Sequence, residues 1–201
     1  MLDLLIATHN RGKVREYAYI LGGLPLRLLS LAEAGVTQVA EESGQTYAEN
    51  ASLKAKAYAH ASGLMTLADD SGLEVDALDG EPGVRAARYA GEDAGDRERV
   101  RYLLSRLEGV PWERRTARFV CVIALATPEC SLQLFDGACG GLIAVTPRGD
   151  KGFGYDPVFY LPHLGKHMAE LSLEEKTKVS HRGSAGAKVR IALEQMLKES
   201  A

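Results

Sequence analysis

The apolar run Leu2 to Ala7 breaks abruptly at Thr8-His9-Asn10-Arg11-Gly12, and the residues beyond it change period. Val14, Tyr17, Ala18 and Leu21 recur at the i, i+3, i+4, i+7 spacing of an amphipathic helix. Gly22-Gly23 supplies a stop, and Leu26 to Leu31 returns to strand character. A strand, loop, helix and strand in this order buries its apolar surface by laying helices on a sheet, so an α/β fold is expected. With 201 residues, 46% of them hydrophobic, the chain can close a sizeable core, and residues 1–201 read as one domain.

Later segments repeat the alternation. Thr46 and Glu49 form a capping box for a helix with a small-residue face of Ala48, Ala51, Ala55 and Ala59, ended by Gly63. Met65 to Ala68 is a strand leading into Asp69-Asp70-Ser71-Gly72. Leu73 to Leu78 is expected as a second short strand, before the loop Asp79 to Gly83. Val100, Leu103, Leu104 and Leu107 mark a helix, and strand character resumes from Ala117. Leu132 to Ala144 reads as a strand bent at Gly137, Gly140 and Gly141, and Val189, Ala192, Leu193 and Met196 as a closing helix.

Composition excludes several functions. The net charge is −3, from 24 basic and 27 acidic residues, so no basic excess is available to coat nucleic acid. No run of about 18 apolar residues exists to span a membrane. Asp3 lies where a secretory leader would carry basic residues, and Cys121, Cys130 and Cys139 show no metal-ligand spacing. Three reduced thiols in a cytoplasmic protein are expected.

Four polar clusters follow apolar elements, where a fold can hold side chains firmly. Thr8-His9-Asn10-Arg11-Gly12-Lys13 opens a helix whose N–H groups, with Arg11 and Lys13, suit an anion, although it is not a Walker loop. Asp69-Asp70 places two carboxylates side by side, which repel unless a cation or proton offsets them; Mg²⁺ suits such oxygen ligands, and a solvated turn is the competing reading. Gly152-Phe153-Gly154-Tyr155-Asp156-Pro157 lets Phe153 or Tyr155 meet a flat ring, unless both aromatics pack inward. Ser180-His181-Arg182-Gly183 supplies hydrogen-bond donors. Glu41-Glu42 precede the capped helix, and Asn50 and Lys54 share one of its faces. Anion, cation, ring and donor sites together match the parts of a nucleoside triphosphate.

These clusters resemble the inosine triphosphate pyrophosphatase family. The matching segments are Ala7 to Lys13, Glu49-Asn50-Ala51, Lys54-Ala55, Ala68 to Leu78, Ala87 to Gly91, Gly152 to Pro157, Glu174-Glu175-Lys176 and Ser180 to Gly183, in the family's order and nearly end to end. The resemblance implies an elongated mixed β-sheet flanked by helices, in two lobes with an active-site cleft between them. It implies Mg²⁺-dependent hydrolysis of ITP, dITP and XTP to the monophosphate and pyrophosphate by a cytoplasmic homodimer, with neither membrane nor nucleic acid as partner. By the family pattern, Thr8, His9, Asn10, Arg11, Gly12, Lys13 and Lys54 hold the triphosphate. Glu41 and Asp70 serve the metal, and Asp70 is the proton acceptor. Ser71, Phe153, Gly154, Tyr155, Asp156, Lys176, His181 and Arg182 bind substrate. On chemical grounds, a donor such as Arg182 aimed at the 6-keto group would accept hypoxanthine and xanthine and leave adenine mispaired. Arg85-Ala86 and Ser184-Ala185-Gly186 depart from the pattern. A Maf-like pyrophosphatase of other base specificity and a non-catalytic nucleotide sensor are the rival readings.

Overall fold

The computed structural model describes all residues except Val39, Cys130, Ser200 and Ala201. In chain order the elements are β1 (Leu2–Ile6), α1 (Arg11–Ile20), β2 (Leu26–Ser30), α2 (Tyr47–Ser62), β3 (Met65–Val75) and β4 (Pro82–Gly83). They continue with α3 (Asp96–Arg106), β5 (Thr116–Ala126), β6 (Leu132–Ile143), β7 (Phe159–Leu161), β8 (Lys166–His167), α4 (Leu173–Val179) and α5 (His181–Glu199). Strand neighbours run β2-β1-β3-β5-β6-β7-β8, with β4 paired to β3, and the sheet is mixed: β1 is parallel to β2 and β3, whereas β6, β7 and β8 are antiparallel. The expected α/β class holds. The chain condenses into two compact units, Met1–Asp70 with Cys121–Gly137 and His181–Ala201, and Ser71–Val120 with Ala138–Ser180.

In the first unit, the strand period of two sorts side chains onto two faces of the sheet. Leu4, Ile6, Leu67, Cys121 and Ile123 pack with Tyr17 and Ile20 of α1 and with Val189 and Leu193 of α5. Their neighbours Leu5, Ala7, Ala68, Ala124 and Ala126 pack with Ala51, Ala55 and Ala59 of α2. The alanine face lets α2 lie close on its strands, and each fully buried Leu or Ile contributes about 1.5–3 kcal/mol. The capping box of α2 forms as expected, and Gly63 ends the helix in the left-handed region at φ 67°.

The second unit gathers Leu73, Val75, Val100, Leu103, Leu107, Phe119, Ile143 and Phe159 into its core. The apolar spacing over α3 therefore marks its buried face correctly.

Four expectations need correction. β3 is one strand of 11 residues, so Asp69-Asp70 lies within a strand rather than ending one. Its ladder hydrogen bonds carry it through the polar residues, whose side chains find partners on both faces. The stretch Asp79 to Gly83 is not all loop, because Pro82–Gly83 pairs with Glu74 and Leu73 of β3. β6 runs through its glycines as a continuous strand. They serve close approach instead: a Cβ on Gly137 would lie 2.2 Å from the His181 carbonyl oxygen, and one on Gly141 2.5 Å from that of Tyr160. Finally, the closing helix begins before the apolar residues that mark it from Val189: α5 starts at His181, so the polar cluster 181–183 is its first turn.

Candidate active site

The turn after β1 is held by its own side chains. Thr8 Oγ1 accepts the Asn10 N–H at 3.2 Å, and Asn10 Oδ1 caps α1 by accepting the N–H groups of Gly12 (2.8 Å) and Lys13 (3.2 Å). Two of the amides that the sequence offers to an anion are thus already engaged. His9, Asn10 and Arg11 are exposed, Gly12 is buried, and Lys13 turns its ammonium to Asp69 Oδ2 at 3.0 Å.

Asp69 and Asp70 follow the alternation of β3. Asp69 lies on the α1 and α5 side, where its Oδ2 also accepts Nε and Nη2 of Arg182 at 3.2 and 3.0 Å. Arg182 Nη1 donates to Glu16 Oε2 at 2.7 Å, making a buried chain from Glu16 through Arg182 and Asp69 to Lys13. Asp70 lies on the α2 side, where Lys54 Nζ is 3.3 Å from Oδ1 and Asn50 Nδ2 donates to Oδ2 at 3.3 Å. Asn50 Oδ1 in turn accepts the Gly44 N–H at 2.8 Å. The two carboxylates therefore need no common cation to lie next to each other in sequence. This corrects the repulsion argument: adjacent strand residues point to opposite faces, and each acid has its own basic partner.

Their proton affinities part accordingly. Burial would raise both carboxyls. At Asp69 the charges of Lys13 and Arg182 overcome burial and hold the carboxyl well below the usual carboxylate range. At Asp70 burial prevails over Lys54 and Lys13, with Glu42 and Asp69 adding to it, so the carboxyl is raised above its ordinary value. The two neighbouring acids are thus driven apart in proton affinity. Lys54 is held above its usual value because Asp70, Asp69 and Glu42 outweigh its burial.

Of the acids before α2, Glu42 reaches Lys54 Nζ at 3.0 Å, while Glu41 is exposed. Ser71 is half-buried, and His181 is buried at the start of α5. Cys121 Sγ is 3.8 Å from Asp69 Oδ2, and burial pushes this thiol up to about 12. Cys121 and Cys139 are free and buried, as expected; Cys130 lies outside the described residues.

In the second unit the glycine-aromatic segment is built around Asp156. Its Oδ2 accepts the Phe153 N–H at 2.9 Å and lies 2.5 Å from Lys176 Nζ, both partners in the ion pair being buried. Gly152 has φ +78°, and a Cβ there would fall 2.1 Å from Asp156 Oδ2, so only glycine admits this carboxylate. The Lys176 ammonium is 4.7 Å from the Phe153 ring centroid. Tyr155 is a core residue whose hydroxyl donates to the Ala86 carbonyl at 2.9 Å. Its ring therefore packs inward, whereas Phe153 is half-buried. The residue departures are accommodated: Ala86 meets Tyr155 through its backbone, and Gly186 lets α5 approach Ile20, against which a Cβ would lie at 2.8 Å.

Sequence reasoning missed Glu16 and Asp96, the latter accepting the Gly154 N–H at 2.7 Å. Glu16 sits beside Tyr17 in an otherwise apolar helix face; that a buried acid would need Arg182 was not visible from spacing.

The chain is thus a mixed-sheet α/β protein in which one strand, β3, carries two neighbouring acids of unlike proton affinity, each beside a lysine. The Ham1 family model matches residues 4–192. The dITP/XTP pyrophosphatase of Geobacter sulfurreducens is 54% identical over 185 residues, covering 92% of this chain and 93% of its own. That of Bacillus subtilis is 47% identical over 194 residues, covering 96% and 98%. The structure of a HAM1 protein from Coxiella burnetii has a TM-score of 0.87 at 41% identity, covering 97% of this chain and all of that one. The chain belongs to the Ham1 family.

Proposed function

We propose that this protein hydrolyses purine nucleoside triphosphates with a 6-keto base, ITP, dITP and XTP, to the monophosphate and pyrophosphate. The observation that carries this reading is the division of labour on β3. The Oδ2 of Asp69 is shared by the charges of Lys13 and Arg182, whereas among the described residues Asp70 meets Lys54 and the neutral amide of Asn50. The names of the two bacterial relatives, each matching over nine-tenths of the chain, support the substrate class.

In the proposed reaction, water adds to the α-phosphorus while the bond to the α–β bridging oxygen breaks, and pyrophosphate leaves with that oxygen. Asp70 takes the proton from the water. Lys13 and Lys54 oppose the charge on the polyphosphate, with Thr8, His9, Asn10, Arg11 and Gly12 beside them. Phe153 is the platform for the purine. Ser71, Gly154, Asp156, Lys176 and His181 complete the substrate contacts, and the backbone of Tyr155 supports the platform. Arg182 anchors Asp69 by Nε and Nη2, and a guanidinium, which only donates, suits a keto acceptor where the amino group of adenine would be mispaired.

The donor set fits Mg²⁺. Asp70 and Glu41 would hold the ion through hard carboxylate oxygens. Mg²⁺ is commonly held in this way, by one or two carboxylates together with substrate phosphates. When bound, the ion supplies positive charge against the phosphate oxygens. No helix among the described residues is long and apolar enough to cross a membrane. A cytoplasmic homodimer completes the proposal, and residues 1–201 serve as one functional module because the family model runs through both units.

Pyrophosphate release from ITP, XTP, GTP and ATP, with and without Mg²⁺, tests the reading. Release from ITP and XTP that requires Mg²⁺, well above that from ATP, is expected. Equal release from all four favours a pyrophosphatase of other specificity, and tight binding without release favours a sensor.

A further inference from the structure

Both peptide units that flank the Phe153 Cα are tied to carboxylates, and only one of these carboxylates belongs to the loop itself. The Phe153 N–H donates to Asp156, as described, but the Gly154 N–H donates to Asp96 Oδ2 at 2.7 Å, 58 residues away in sequence. Asp96 is the first residue of α3. Its Oδ1 is held by Nη2 of Arg99, one turn further along the helix. The other arm of that guanidinium, Nη1, donates to the carbonyl of Ala87. Ala86, the residue before, accepts the Tyr155 hydroxyl. One helix turn and one short turn at Ala86–Arg88 thus grip residues 154 and 155 together.

The two peptide planes around a residue set the direction of its Cα–Cβ bond, and so the plane its ring can present. A charged acceptor makes a stronger hydrogen bond than a neutral one. The guanidinium fork also keeps the carboxylate from turning to solvent. We propose that Asp96 is a positioning residue for nucleotide binding: it aims the Phe153 ring by holding the Gly154 amide, and Arg99 holds Asp96. The inference rests on the reading of Phe153 as the purine platform. An acid in the first turn also favours the helix dipole of α3. A purely local role of that kind predicts lower stability with no selective change in substrate affinity.

The test compares Asp96→Ala and Asp96→Asn with wild type by steady-state kinetics on ITP and by hydrogen exchange at the Gly154 amide. Asparagine keeps an acceptor for Gly154 but loses the charge that engages Arg99. Asp96→Ala is expected to raise KM for ITP about tenfold, equivalent to about 1.4 kcal/mol, with kcat within about twofold. Gly154 exchange should accelerate by a similar factor, and Asp96→Asn, which keeps the acceptor but not the Arg99 grip, should recover part of both effects. Wild-type KM in Asp96→Ala overturns the inference, whether or not Gly154 exchange changes. So does a joint loss of kcat and thermal stability that Asp96→Asn fails to rescue. If wild type turns over ITP and only these variants behave otherwise than expected, the inference alone fails. A wild type without ITP turnover removes the functional reading and this inference with it.

Discussion

At the acid pair of the first unit, side chains answer side chains; at the aromatic loop of the second, carboxylates answer the backbone. Lys13, Arg182, Lys54 and Asn50 reach their acids from α1, α5 and α2, so the charges are set by how helices pack on β3. Asp96 and Asp156 instead bind the N–H groups of Gly154 and Phe153, so the ring is set by loop geometry. The first arrangement fixes ionisation, and the second fixes orientation. Substitutions should therefore fail in different ways in the two regions.

The largest effect is expected from Asp70→Asn, which removes the proton acceptor and keeps the shape. Turnover of ITP should fall by about 10²–10⁴-fold. Because the folded protein raises the carboxyl of Asp70, its ionised form opposes folding once the pH exceeds the ordinary carboxylate value. The asparagine variant should thus melt no lower than wild type at pH 7, measured by calorimetry. Unchanged turnover would break the contrast at its centre.

Asp69→Ala is expected to fail as a fold. It leaves Lys13 and the buried Arg182 without their shared acid, a loss of about 3–5 kcal/mol by denaturant titration. The sign with pH follows from the lowered carboxyl: stability from Asp69 is present above the ordinary value of 3.8 and is lost as pH falls below it towards the folded value. The gap in stability between wild type and Asp69→Ala should accordingly shrink in acid.

Gly152→Ala probes the other region. Its Cβ would collide with Asp156 Oδ2 in a backbone conformation that costs a non-glycine residue about 1–3 kcal/mol. KM for ITP should rise more than kcat falls, the reverse of Asp70→Asn.

The smallest effect is expected from Arg182→Lys, which keeps the charge beside Asp69 but loses the planar fork. If the fork also reads the keto group, the ratio of kcat/KM for ITP over ATP should fall by about tenfold or less. An unchanged ratio would leave Arg182 as the anchor of Asp69 alone.

The periods of apolar residues made β1, α1, α2 and α3 legible, since each buries a face through its own spacing. The capping box at Thr46 and the stop at Gly63 were equally local and equally clear. The strand through Asp69-Asp70 was not, because two adjacent acids lower strand propensity and only their partners on α1, α2 and α5 make them tolerable there. The glycines of β6 read as a bend for a similar reason: what they admit is backbone from α5 and β7, remote in the chain.

By itself, then, the amino-acid order determined β1, α1, α2 and α3, the polar clusters and, through their succession, the family. Local periodicity and turn chemistry act over a few residues and need no partner to be read. Tertiary structure alone decided which acid holds its proton less tightly, which aromatic packs into the core and which distant carboxylate binds the loop amide. Those outcomes depend on desolvation and on pairings between residues as far apart as Glu16 and Arg182, where packing rather than sequence spacing sets the distance.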